Sequence, residues 1–145
     1  MARAPTKASK APNATRLSRT SLHEAVIDAN TKEVARLLAA GSNVNCQDDQ
    51  GWTPLHFAAQ SQSSQIVKQL LVGGASVDLA DGHGNTPLFR AVFSYEGDGA
   101  TINMLRDSGA NPNTKNNHGV SPVELARNIA NYDVSKYFSD VEDAE

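Results

Sequence analysis

Residues 51–60, GWTPLHFAAQ, begin as a turn and end as a helix. Thr53 is placed to cap that helix, its hydroxyl accepting one of the orphan backbone N–H groups of the first turn. Pro54 follows at the first helical position, where a missing N–H costs nothing. The same skeleton returns at a fixed interval. Thr20, Thr53 and Thr86 stand 33 residues apart and open TSLHEAV, TPLHFAA and TPLFRAV. A fourth copy, SPVELAR, begins at Ser121, 35 residues after Thr86, and its Ser121 and Glu124 have the S-x-x-E spacing of a capping box. The sequence therefore predicts a short helix after each of Thr20, Thr53, Thr86 and Ser121.

Each of these is followed by a polar break and a second apolar pattern. Val34, Leu37 and Leu38 match Val67, Leu70 and Leu71 at i, i+3 and i+4, and Ile102, Met104 and Leu105 keep the register after two extra residues. Asn30 and Glu33 suit an N-cap for this second helix, and Gly41, Gly74 and Gly109 stand where a C-terminal left-handed residue is wanted. The chain then enters NVNCQDDQGW, VDLADGHGN or NPNTKNNHGV, rich in Asn, Asp and Gly, which predicts a projecting hairpin in each case, with Gly82 and Gly84 serving the turn. One such unit cannot bury its apolar face alone, so copies at a fixed period stack on each other.

Hairpin, helix, turn, helix at a 33-residue period, with TPLH opening the first helix, resembles the ankyrin repeat. The resemblance covers about residues 18–140. It implies an all-α solenoid of four helix-turn-helix units with short β-hairpin loops, at about 18–47, 48–80, 81–115 and 116–140. Three departures stand out: no hairpin precedes the first unit; the third has Phe89 for His and the longer stretch SYEGDGA, residues 94–100; and the last has Phe138-Ser139 for Leu-Leu and ends in DVEDAE. The first and last units read as caps, and residues 141–145 as an acidic tail.

Charge divides the chain. Residues 1–20 hold Arg3, Lys7, Lys10, Arg16 and Arg19 and no acid, whereas eight basic and 16 acidic residues follow. The first 17 residues, poor in large apolar side chains, read as a disordered basic tail; a solvated extension and an amphipathic transit peptide both fit. An acidic body repels nucleic-acid backbones and attracts a basic partner. No stretch reaches the roughly 18 apolar residues of a spanning helix, and the N-terminus lacks the apolar core of a secretory signal, so the expectation is a cytoplasmic protein without membrane contact. The sequon at Asn13–Thr15 then carries little meaning. The lone Cys46 forms no intramolecular disulfide and reads as a small loop residue.

What the resemblance implies for function is protein binding through hairpin tips and the exposed side of the first helices, a continuous concave face. By register that face comprises Arg19, Ile27 and Asp28; Asp49, Gln50, Trp52, Gln60 and Ser61; Gly82, His83, Asn85, Phe93 and Ser94; and Asn117, His118, Val120 and Asn128, with Tyr95, Glu96 and Asp98 added by the insertion. Trp52, the only tryptophan, is the strongest contact candidate because aromatics are over-represented among hot spots. The competing reading lays its ring over the neighbouring hairpin. His23 and His56 are expected to support their caps. His83 and His118, at equivalent tips, have no carboxylate or thiol at ligand spacing, so no metal is expected. No phosphate loop, nucleophile elbow or HExxH is present, Cys46 has no evident His partner in sequence, and neither catalysis nor a cofactor is expected. Small ankyrin proteins of this build resemble bacterial immunity proteins, and SPVELARNIANYDVSKYF is similar to the closing unit of such proteins. The expected role is an immunity or antitoxin-type inhibitor of a basic toxin or effector, monomeric or in a 1:1 heteromer; the alternative is a general adaptor or regulatory subunit.

Overall fold

A computed structural model describes residues 19–129 and 133–142. The basic tail expected over 1–17 and most of the acidic tail lie outside them. The described residues form seven α-helices: α1 Ser21–Ile27, α2 Thr31–Ala39, α3 Pro54–Gln60, α4 Ser64–Val72, α5 Pro87–Phe93, α6 Ala100–Asp107 and α7 Pro122–Asn128, followed by a 3₁₀ helix, Val134–Phe138. Helices of seven to nine residues are not stable in isolation. They persist because their ends are capped and one side of each is buried.

The capping chemistry follows the repeated letters. Thr20, Thr53, Thr86 and Ser121 each accept a bond from the backbone N–H three residues on. In the last unit Glu124 returns a bond to the Ser121 N–H, and the Lys115 ammonium at 2.9 Å, with the Ser121 N–H and hydroxyl, holds its carboxyl down to about 2. Asn30 caps α2 through the Glu33 N–H at 3.1 Å. At the other ends Gly41, Gly74 and Gly109 adopt φ of 90°, 96° and 95°. In the first of these, the Gly41 and Ser42 N–H groups bond the Leu38 and Leu37 carbonyls, the paired bonds of a Schellman cap.

Two rows of helices result. The inner row is α1, α3, α5 and α7, each touching the next; α2, α4 and α6 form the outer row, and each pair shares a core with its neighbours. Leu22, Leu55, Leu88 and Val123 face that core from the inner helices, and Val34, Leu37, Val67, Leu70, Ile102 and Leu105 from the outer ones, all buried. Ala25, Ala58, Ala91 and Ala126 recur between them and let the inner helices approach closely. Burial of a Leu or Ile side chain contributes about 1.5–3 kcal/mol, so each interface between repeats carries a large share of the stability.

The structure departs from the sequence expectation in three places. The Asn/Asp/Gly loops contain no strands among the described residues. Each tip closes with a backbone bond across its mouth, Asp48 N–H to Trp52 O at 2.9 Å, Asp81 to Asn85 at 2.8 Å and Asn116 to Val120 at 2.9 Å, and a turn bond from Gly51, Gly84 or Gly119 back to the same Asp or Asn carbonyl, while the side-chain oxygens of Asp48, Asp81 and Asn116 take up the other N–H groups a ladder would need. The fourth unit pairs α7 with one 3₁₀ segment, not a second α-helix. And Leu38 and Leu71 are only half-buried, since the outer helices turn Leu37 and Leu70 inward in their place. The long third-unit turn is as expected: residues 94–99 separate α5 from α6, against three residues in the first two units.

Candidate functional site

The inner helices and the tips are tied into one surface by the residues of the repeated motif. His56 accepts the Thr53 N–H on Nδ1 at 3.0 Å, which leaves Nε2 as the donor to the Asn85 carbonyl of the next tip at 2.8 Å. His23 does the same with Thr20 at 3.1 Å and the Trp52 carbonyl at 2.8 Å. The tips are also joined directly, Gly82 N–H to Gln50 O at 2.8 Å and Asn117 N–H to His83 O at 2.9 Å. Gly51, at φ +81°, is required here: a Cβ would stand 2.7 Å from the Gly82 nitrogen.

The two histidines differ in their titration. Burial pushes His56 below its ordinary range against the pull of the Asn85 carbonyl. In His23 burial acts the same way but is outweighed by the Cys46 sulfur and the Trp52 carbonyl, and its pKa rises. Cys46, half-buried, has Sγ 3.8 Å from His23 Nδ1 and 3.3 Å from Thr20 Oγ1; burial alone would raise the thiol, yet these two contacts bring it down. The expectation that Cys46 has no histidine partner is therefore corrected: the first loop folds back and brings the two side chains together across 23 positions.

Trp52 is half-buried in a stack that crosses three units. Its ring lies 4.7 Å from Phe57 and 5.7 Å from His56, and the Arg90 guanidinium covers it at 4.6 Å. Arg90 in turn reaches Asp81 at 3.2 Å, and Arg19 repeats the pattern over Phe57 at 5.2 Å with Asp48 at 3.8 Å. Arg90 and Asp81 escaped the sequence reading because their pairing is set by the loop trajectory. Gln62 escaped it too; at φ +58° between α3 and α4, it donates to the Ala91 carbonyl and the Ser94 hydroxyl, both at 2.8 Å.

Of the residues expected on the face, Asp28, Asp49, Gln50, Ser61, His83, Phe93, Glu96, Asp98, Asn117 and His118 are exposed, and Gln60 and Ser94 half-buried. Two are corrected. Asn85 is 6% exposed, its Oδ1 taken by Asn116 Nδ2 at 2.8 Å, and Tyr95 is 5% exposed, its hydroxyl 3.3 Å from that of Tyr137. Asn85 closes a tip, and the inserted turn folds Tyr95 inward onto the last unit.

A family model for ankyrin repeats (3 copies) matches residues 19–116. The chain belongs to the ankyrin-repeat family. Ankyrin repeats are non-catalytic modules that bind proteins, and this chain is accordingly a protein-interaction module built on an ankyrin stack. The match ends before the fourth copy, whose outer helix is replaced by the 3₁₀ segment. No curated protein matches this ankyrin chain. Among its described residues there is no group of three His, Cys, Asp or Glu side chains arranged to hold a metal ion, and no helix is long and apolar enough to cross a membrane.

Proposed function

We propose that this ankyrin stack is an immunity or antitoxin-type inhibitor, in which residues 18–140 form the binding domain and its inner face occupies the active surface of a basic toxin or effector in a cytoplasmic 1:1 complex. The observation that carries the reading is the acidic balance of the chain after its basic N-terminal stretch. After residue 20 the chain has 16 acidic and eight basic residues, and Arg19 and Arg90, which cover the Phe57 and Trp52 rings, are each paired with an aspartate of their own chain. A surface of this sign speeds capture of a cationic partner and makes the association salt-sensitive. Asp28, Asp49, Gln50, Trp52, Gln60, Ser61, His83, Phe93, Ser94, Glu96, Asp98, Asn117 and His118 are its contact candidates.

The test is affinity purification of the tagged protein from its native cells at low salt, followed by co-expression with whatever is retained. The reading expects a basic protein, released by added salt, whose toxicity disappears when this chain is co-expressed. Recovery of a cellular protein that remains fully active in the complex would replace it with the adaptor role.

A further inference from the structure

Three large apolar side chains are exposed among the described residues, Ile27 at 41%, Val72 at 80% and Phe93 at 60%. Ile27 and Phe93 occupy the same register position, the last residue of α1 and of α5, with Gln60 at the end of α3 between them. They stand on capped helices packed into the core, so no rearrangement is needed to present them. Acids surround this row: Glu24 one turn before Ile27, Asp28 directly after it, and Glu96 and Asp98 in the turn after Phe93, all exposed. The arginines that share the inner face do not cancel them, since Arg90 is held by Asp81 and Arg19 by Asp48.

The tips make a poorer anchor. Their backbone donors and acceptors bond one another, and the face of Trp52 is covered by Arg90. An entering partner would have to displace these contacts, whereas at the helix ends it covers apolar surface that is already open.

Resting on the reading of the inner face as the binding surface, we infer that the primary anchor is the row of inner-helix ends, Ile27–Gln60–Phe93, and that it takes a cationic peptide segment carrying apolar side chains. Packed helices lie about 8–10 Å apart, so Ile27 and Phe93, two repeats apart, are separated by about 20 Å. An extended chain covers that span in about six residues. The segment therefore lies across the stack with apolar side chains about six positions apart, over Ile27 and Phe93, while flanking Lys or Arg side chains meet Asp28 at one end and Glu96 and Asp98 at the other. Lining charge with apolar anchors in this way gives both steering and a desolvated centre.

The experiment uses a phage-displayed library of random dodecapeptides, selected on the full-length protein and, in parallel, on Phe93→Ser and on the double variant Glu96→Lys with Asp98→Lys. The inference expects selected peptides rich in Lys and Arg around separated apolar residues. Synthetic copies should shift the amide resonances of residues 24–28, 60–61 and 93–98, and bind Phe93→Ser, at an unchanged thermal midpoint, and the double variant, which also loses the Asp98 bond to the Ala100 N–H, at least about tenfold more weakly. Peptides without basic residues, peptides whose binding ignores both variants, or no enrichment at all would overturn it. Peptides that shift Gln50, His83 and His118 in place of the helix ends would overturn the anchor while leaving the inner face as the binding surface; peptides seated on the outer helices would count against both.

Discussion

The imidazole Nε2 of His56 lies 2.8 Å from the carbonyl oxygen of Asn85, so a side chain of one helix start holds the loop that leads into the next. This bond is buried, and its acceptor also takes the closing bond of the tip, from the Asp81 N–H.

His56→Ala leaves the Thr53 N–H and the Asn85 carbonyl without that ring and opens a cavity between units. The expected cost is about 2–4 kcal/mol, measured by urea denaturation. A loss under about 0.5 kcal/mol would mean that water replaces the imidazole without penalty.

The titration of His23 and His56 separates them in the opposite directions their surroundings impose. His56 is neutral when folded and lies below 6.5, so the unfolded chain takes up its proton first; stability from this group is present above about pH 6.5 and falls as the pH is lowered through it. His23 lies above 6.5, so its contribution is full below about pH 6.5 and is lost as the pH rises through the folded value. Leu79 holds in the second unit the register position of Cys46 in the first. Cys46→Leu should therefore bring His23 down below 6.5, toward His56, as followed by the ring proton resonances. An unmoved His23 would show that the thiol does not set its titration.

Leu70→Ala and Leu71→Ala test the rotation of α4. Leu70 is fully buried and should cost about 2–5 kcal/mol; Leu71, half-buried, should cost clearly less. Equal losses, measured by chemical denaturation, would put the core face of α4 a residue away from where it lies.

The letters that announce the fold act locally, and that is why they could be read. Thr53 caps its own helix, Pro54 starts it, and Gly74 takes the left-handed φ that ends the next; no distant residue changes these roles. What escaped depends on the path between units. A shift of one residue on a helix turns a side chain by about 100°, so apolar spacing alone did not separate Leu70 from Leu71. Asn85 and Tyr95 looked accessible because their partners, Asn116 and Tyr137, are 31 and 42 positions away. Cys46 and His23 met for the same reason. For the site, the register placed Phe93 and the acids on the inner side, but the Arg19–Asp48 and Arg90–Asp81 pairs required the folded loops.

Gly99 marks how the inserted turn is fastened. A Cβ there would overlap the Tyr137 ring, which packs 5.7 Å from the Tyr95 ring and links the third unit to the 3₁₀ helix. Gly99→Ala should displace Tyr137, cost about 1–3 kcal/mol, and raise amide exchange over residues 134–138 before the rest of the stack. Unchanged exchange in that segment would show that the cap is held by buried Val134 and Phe138 and by the Arg106 bonds to Tyr137 O and Asp140, without the Tyr137 ring.

The inner face of the repeat stack is the proposed seat of the partner. Hydrogen–deuterium exchange of the full chain, free and saturated with the protein it retains at low salt, tests it most directly. Binding there gives new protection at the tips and at the ends of α1, α3 and α5, including 27–28, 60–61 and 93–98, with α2, α4 and α6 unchanged. Protection confined to α2, α4 and α6 would contradict it.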